Sequence, residues 1–382
     1  MDYTRLKNIN EYTSKSVNPM SFPDTLFELY SVPIFDTGHP EYLRGSEIGS
    51  TKVLVEKNDI LLCKINPRIN RVWVVADESK HQNIASSEWI VVRSSTYNPE
   101  YLAWYFRTPK FQKLMTSEVT GIGGSLTRAQ PKAVAEYPVP VLPKEKQDEI
   151  VSILNNIDHL VSLRKQQLAK LDELIKARFV EMFGDPEAGA CHFPVQKLGS
   201  LSLKISDGVH AKPEYTEFGR PFLSVVNINK GKVNFTDCKY VSEEAYQKMI
   251  KSTHPEFGDV LYTKVGATYG IPAYVDTERE FCLYVSVCLI KPNHELINSR
   301  FLAIQMAMPS IKHQADARIK GIGVPDLHLN QISEFLIVCP PRQLQDEFVV
   351  LTENIDKSKA VVQQSLDKLE TLKKALMQEY FG

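Results

Sequence analysis

The six cysteines (Cys63, Cys191, Cys238, Cys282, Cys288 and Cys339) include no CxxC pair, which excludes a zinc ribbon and a secreted disulfide framework and leaves buried free thiols as the plain reading. Cys191-His192 is the sole close pair of soft ligands, and no spacing supplies the two further ligands that a metal site would need. Runs of 18 or more uncharged apolar residues are missing, and MDYTRLKNIN at the N-terminus has no apolar signal core, so a cytoplasmic protein without membrane spans is expected. Positive charge is not in excess either. The net charge is −1, so any phosphate-binding surface must be local or be completed by a partner. No GxxxxGK[ST] loop is present, which excludes a P-loop for ATP.

What the chain does have is an internal repeat. Residues 137–184 align without a gap on 335–382 at a shift of 198 (335 − 137). PKEKQDEIV (143–151) answers PRQLQDEFV (341–349), Asn156-Ile157-Asp158 answers Asn354-Ile355-Asp356, and both copies close on Phe-Gly. The repeat reaches into the preceding segments with a drifting register. TRLKNINEYTS (4–14) resembles QKLGSLSLKIS (196–206), NDILLCK (58–64) matches GDVLYTK (258–264), and TGIGG (120–124) lies against KGIGV (320–324). The drift places insertions inside the globular parts and none inside the repeated helices, as variable loops on a fixed frame would give.

At 382 residues the chain exceeds what one core usually serves. The repeat divides it into a globular part at 1–140, a helix at 141–184, a ten-residue linker at 185–194, a second globular part at 195–338 and a second helix at 339–382. Strands are predicted at VWVVAD (72–77), EWIVVR (88–93), YPVPVL (137–142), PFLSVVNI (221–228), DVLYTK (259–264), IPAYVD (271–276) and LYVSVCLI (283–290). Helical periodicity over 99–115 and 297–315 predicts one helix in each segment, so both globular parts are α+β.

The repeated helices read as rods. From Gln147 to Met182 there is no Gly or Pro, and Ile150, Ile157 and Leu171 recur near seven residues with Ile153, Leu160 and Leu174 as their partners. Phe348, Ile355, Val362, Leu369 and Leu376, with Leu351 and Leu372, form the second set. Such stripes predict a coiled-coil seam. Arg164 and Arg178 interrupt the first stripe where Val362 and Leu376 stand in the second, which favours pairing of the two unlike helices. About 36 residues at 1.5 Å each make an arm of roughly 54 Å.

The segments GDVLYTKVGATYG, NDILLCKINPRINRV, ASSEWIVVR, PEYLAWYF, TGIGGSLTR with YPVPVLPKEKQDEIV, and ISDGVHAKPEYTEFGRPFLSVVNI, in this order and with this repeat, resemble the specificity subunit of type I restriction-modification systems. The resemblance covers almost the whole chain. It implies two similar α/β target recognition domains joined by two long antiparallel coiled-coil helices with pseudo-twofold symmetry. It further implies that each domain reads one half of a split, asymmetric site in double-stranded DNA. The helices would set the gap and dock two methyltransferase subunits, and restriction subunits would join through that complex. Catalysis would then lie in the partners, with S-adenosylmethionine, ATP and Mg bound there and no cofactor in this chain.

Base specificity needs polar side chains that reach the major groove, where all four base pairs differ. Lys64, Asn66, Arg68, Asn70 and Arg71 form the best local basic cluster in the chain, and Arg can fork onto guanine as Asn can onto adenine. Lys264, Thr268 and Tyr269 occupy the matching stretch of the second half. Thr127 and Arg128 in the loop 121–128, and Lys320 in the loop 320–323, border the glycine loops. The resemblance places the turn carrying His210 and Lys212 in the DNA-facing region, and Arg318 with Lys312 and His313 makes a second basic patch.

Rival readings remain. A coiled-coil scaffold with two protein-binding domains and no DNA role fits the rods alone. A solitary enzyme fits poorly. The nearest string to an amino-methyltransferase motif, Asn98-Pro99-Glu100-Tyr101, reads as a helix start, and Asp59 with Glu78-Ser79-Lys80 is a loose match to a metal nuclease.

Overall fold

The computed structural model describes the chain apart from Met1, Asp77, Glu78, Glu118, residues 121–126, Asn229, Lys230, residues 320–322 and the side chain of Thr120. Two compact units result, one of residues 1–165 with 364–382 and the other of residues 166–363. These boundaries differ from those of head and arm drawn on the sequence. Each unit takes one globular head together with half of each arm helix, because the arm ends are built into the head cores.

The first head contains a five-stranded sheet in the order Ser16–Val17, Lys52–Leu54, Gln82–Ala85, Leu26–Tyr30, Glu41–Arg44, with Leu26–Tyr30 parallel to Gln82–Ala85. Beside it lies an antiparallel sheet of Val72–Val74, Ile60–Cys63 and Trp89–Val92. The head closes by pairing its first strand, Tyr3–Arg5, with its last, Pro138–Pro140. The second head closes in the same way through Val195–Lys197 and Leu336–Val338. Its main sheet runs Ser202–Asp207, Val287–Pro292, Val260–Thr263, Pro272–Tyr274.

Four predicted elements are broken. The segments 99–115 and 297–315 each form two helices, Pro99–Phe106 with Pro109–Ser117 and Ser299–Met306 with Pro309–Asp316. Proline has no N–H to donate and its ring clashes with the carbonyl four residues back, so Pro109 and Pro309 each begin a new helix. The strand expected over 221–228 ends at Leu223, since Ser224 and Asn227 exchange hydrogen bonds that fold Val225–Asn227 into a single tight turn. LYVSVCLI divides into Cys282–Leu283 and Val287–Pro292 around a turn in which Val287 donates to the Tyr284 carbonyl.

The arm helices are Lys144–Phe183 and Arg342–Phe381. Within the first unit they run antiparallel, with Asp158 on Lys373 at 2.5 Å and Lys165 on Glu370 at 3.2 Å. Within the second unit Asp172 meets Lys359 at 2.6 Å, again with opposite chain directions where Phe179 packs on Phe348. The buried apolar positions of the first arm are Ile150, Leu154, Ile157 and Val161 in the first unit and Phe179 and Phe183 in the second, and those of the second arm include Phe348, Ile355, Val362 and Leu366. The seam therefore keeps the expected Ile150, Ile157, Phe348, Ile355 and Val362 but not the partners assigned to them. Leu160, Leu174 and Leu372 are 41%, 43% and 47% exposed, and Leu154, Val161 and Leu366 stand in the seam instead. A step of four residues then three returns a side chain to the same face of a helix, and the first arm offers an apolar residue one place away at Ile153-Leu154 and at Leu160-Val161.

Aromatic anchors tie arm to head. Phe381 packs on Tyr101 and Tyr105 in the first unit, and Phe183 packs on Phe301 and Phe348 in the second. Asn98 caps the helix Pro99–Phe106 by accepting from the N–H groups of Glu100 and Tyr101, so the Asn-Pro-Glu-Tyr string is a helix start. Asp59 is fully buried and forked onto Arg93 at 2.7 and 2.8 Å while accepting the Glu56 N–H, an arrangement that leaves it no role in binding a metal. Among the described residues no helix is long and apolar enough to cross a membrane.

Candidate nucleic-acid interface

Each head pins one loop in the same way. In the first, the strand Ile60–Cys63 runs out into residues 64–71, where the Lys64 N–H donates to the Glu88 carbonyl at 3.0 Å and the Lys64 carbonyl accepts from Ala129 at 2.9 Å. The Asn66 N–H donates to the Thr127 carbonyl at 2.8 Å. In the second, Lys264 donates to Ser286 at 3.0 Å and accepts from Leu327 at 3.0 Å, and Gly266 donates to Pro325 at 2.9 Å. Position 66 or 266 turns the chain in the left-handed region (φ 50° and 90°), where Asn and Gly are the tolerated residues. Thus the structure brings Lys64, Asn66, Arg68, Thr127 and Arg128 together in one head. It brings Lys264, Thr268 and Tyr269 together in the other.

The side chains differ. Arg68 is exposed, its Nε donating to Asn66 Oδ1 at 2.8 Å, and the Arg68 carbonyl is held by Gln112 Nε2 at 2.6 Å. Lys64 donates its ammonium to the Ser87 carbonyl at 2.5 Å. Asn70 and Arg71 are half-buried, and the Arg71 Nε is enclosed without a partner. Arg128 lies against Glu88, with nitrogen to oxygen distances of 3.3 and 3.4 Å.

In the second head Lys264 is turned inward, contrary to the exposed contact that the sequence suggested. It is 4% exposed, with its ammonium 3.2 Å from Asp326 and 3.7 Å from Asp207, since a charge at the end of a core strand needs counter-charges. Burial raises the Asp207 carboxyl above its usual range, against the opposing pull of Lys264 and His210. His210 lies 3.7 Å from the same carboxylate and is open to solvent. Gly208 beside it has no room for a Cβ, which would fall 2.2 Å from the Leu283 carbonyl oxygen. Thr268 is exposed, and the Tyr269 hydroxyl bonds to Asp316 while Lys312 sits 4.2 Å from its ring centre.

Lys212 and Lys239 both lie over the Tyr215 ring, at 5.7 and 4.3 Å, so the two form a basic patch around an aromatic. Arg318 is engaged elsewhere. Its guanidinium donates to the Gln314 and Glu334 carbonyls at 2.7 and 3.3 Å and covers Phe335, which makes it a closure of the helix Pro309–Asp316. His313 pairs with Glu187 at 2.7 Å. Lys320 and most of both glycine loops lie outside the described residues. Sequence reasoning missed Glu88, Asp326, Tyr215 and Lys239. Only the repeat could have found the first two, by marking 88 with 286 and 128 with 326 as matched positions.

Residues 28–173 match the family described as type I restriction modification DNA specificity domain. The type I restriction enzyme MjaVIII specificity subunit of Methanocaldococcus jannaschii is 20% identical over 88% of this chain and 83% of its own length. The MjaIX specificity subunit of the same organism is 21% identical over 73% of this chain and 67% of its own. In structure the whole chain superposes, at a TM-score of 0.61 and 17% identity, on 97% of a chain solved in work on complex assembly and conformational transition of the type I R-M system. It superposes at 0.57 and 13% identity on 96% of a type I restriction-modification S subunit from M. genitalium. The domain match over 28–173 and the relatives matched over most of their length make the chain similar to the type I restriction-modification specificity subunits, whose fold it shares along its whole length.

Proposed function

We propose that each head reads one half of a split, asymmetric duplex site and that the paired arms set the distance between the halves. The observation that carries this is the pair of equivalently pinned loops, Lys64–Arg71 and Lys264–Gly270, which share a backbone frame and differ in exposed side chains. A common frame gives both heads the same approach to a duplex, and unlike side chains give them unlike base preferences. Arg68, Asn70 and Arg128 in one head, and His210, Lys212, Thr268 and Lys239 in the other, supply the contacts.

Catalysis resides in partner subunits in this reading. Two methyltransferase subunits dock on the arms and bring S-adenosylmethionine, and restriction subunits bring ATP and Mg. Apolar side chains on the outer arm faces support docking. Leu160 and Leu163 are exposed in the first unit, as are Leu174 and Val361 in the second. The first unit also has a groove of about 580 Å³ with Val161, Met377 and Phe381 among its walls. The near-neutral net charge fits partners that provide much of the phosphate contact. Mapping methylated bases across a genome that carries this chain with its methyltransferase tests the proposal. A two-part motif with a fixed gap is expected, and a continuous motif or none contradicts it.

A further inference from the structure

The pinned loops allow the two heads to be compared residue by residue, because the same backbone bonds recur. Ile65 bridges Arg128 in one head, and Val265 bridges Asp326 in the other. With the flanking bonds from Ala129 to Lys64 and from Leu327 to Lys264, positions 128 and 326 are the same place in the repeat. Several charges at matched positions keep their sign, although Glu100 and Arg300, which follow the matched caps Asn98 and Asn298, do not. Lys64 answers Lys264, Asp59 answers Asp259, and Arg93 answers Lys291, each acid pairing with its cation. Positions 128 and 326 invert it.

Each of the two is held from behind by a counter-charge. Arg128 presents Nε and one terminal nitrogen to Glu88, and Asp326 presents Oδ1 to Lys264. Each remains about half exposed, at 45% and 47% of the side chain. The support comes from a different position in each head, since Glu88 faces Arg128 while its equivalent is Ser286 and the counter-charge for Asp326 comes from Lys264. Phosphates have one sign along the whole duplex, so a side chain that only positions the protein on them keeps its sign in both copies. A side chain that reads a base edge is free to change it.

We propose that Arg128 and Asp326 are the matched specificity-determining residues of the two heads, each reading a G·C pair in its own half-site, Arg128 from the guanine and Asp326 from the cytosine; this deepens the split-site reading and rests on it. With Nε engaged by Glu88, the edge formed by the two terminal nitrogens of Arg128 faces outward and donates to guanine O6 and N7. With Oδ1 engaged by Lys264, Oδ2 of Asp326 accepts from the exocyclic amine of cytosine. The asymmetry of the site thus originates in part from one inverted charge on a duplicated frame.

The test is methylome sequencing of cells that express the full chain with its methyltransferase, as wild type and as Arg128→Lys, Arg128→Ala and Asp326→Asn. Arg128→Lys keeps the charge and loses the fork. It is expected to cut methylation at the wild-type motif about 10- to 100-fold and to admit other bases at one G·C position of one half only. Asp326→Asn is close to isosteric and can form two bonds with adenine, so a shift from C toward A at one position of the other half is expected. Arg128→Ala should relax the same position as the lysine variant. An unchanged motif at near wild-type rate in Arg128→Lys identifies a phosphate contact and overturns the proposal. So does an equal loss at all sites without a change of motif. A wild type that yields no two-part motif overturns the parent reading instead, whatever the variants do.

Discussion

The side-chain oxygen of Gln345 accepts the backbone N–H of Asn298 at 2.7 Å, fastening the start of a head helix to the second arm. Asn298 in turn donates its amide to Asp346 at 2.7 Å, and Gln345 donates to the Pro340 carbonyl at 2.7 Å. Gln147, Asp148 and Asn98 repeat this latch in the other unit, with 2.9 Å for the first bond and 2.6 Å for the second. Both glutamines are buried. The Gln-Asp-Glu motif that opens each arm is therefore a joint. Gln345→Ala and Gln147→Ala leave a buried amide N–H unpaired and should each cost about 1–3 kcal/mol, read as a shift in urea midpoint. Equal costs in both are expected, and a cost in one alone would show that the joints are not equivalent.

The pair of buried Asp59 and half-buried Arg93 is structural. Asp59 holds the Arg93 guanidinium more firmly in its charged form than usual, first through its hydrogen bonds. Asp59→Ala removes one partner, but Arg93 keeps solvent and Glu56, so a cost of about 1–3 kcal/mol is expected in denaturant melts. Methylation measured below the melting range should keep the wild-type motif. A changed motif without destabilisation would move Asp59 to the interface.

Much of this was legible in the sequence, because repeats and helical periodicity are local patterns that survive divergence between the two copies. The arms, their unlike pairing and the order of elements all follow from spacing. The limits have physical causes. The seam partners slipped by one because Ile153 and Leu154, or Leu160 and Val161, are adjacent apolar residues, and burial alone decides between them. Lys264 was misplaced because its neutralisers, Asp207 and Asp326, are 57 and 62 residues away in sequence (264 − 207 and 326 − 264). Charge reads as exposure until the fold brings its counter-charge.

Thiol reactivity gives an independent check on the cores. Burial pushes the Cys282 thiol up to about 12, and those of Cys63 and Cys288 are raised by the same cause. Since the thiolate is the reacting form, these three and buried Cys238 should resist maleimide in the native protein at pH 7.5. Half-exposed Cys191 and Cys339 should label first. Both are also raised by burial, so their rates should climb about tenfold per unit between pH 7 and 8. Mass spectrometry of labelled peptides reads the order, and early labelling of Cys288 would contradict the second core.

Arg68 and Lys212 separate recognition from assembly. Arg68 stands exposed on a loop whose backbone is held by Gln112 and Thr127, so Arg68→Ala removes a donor without loosening the frame. Recognition of one half-site should weaken by about 1–3 kcal/mol if the contact is to a base. Lys212→Ala should affect the other half-site. Co-purification with the methyltransferase should be unchanged in both, and equal methylation of the wild-type motif would remove either residue from the interface.

Leu154 and Leu160 stand less than two turns apart on one arm and should answer mutation in opposite ways. Leu154 is fully buried between arm and head, whereas Leu160 is 41% exposed on the outer face. Leu154→Ala opens a cavity and should cost about 2–5 kcal/mol of stability. Leu160→Ala should change stability by no more than about 0.5 kcal/mol, as surface substitutions do. If the outer face docks a methyltransferase subunit, Leu160→Asp should weaken co-purification while the isolated chain keeps its melting behaviour. A large loss of stability at Leu160 with little at Leu154 would restore the register expected from the sequence and place Leu160 in the seam, leaving the partner surface elsewhere.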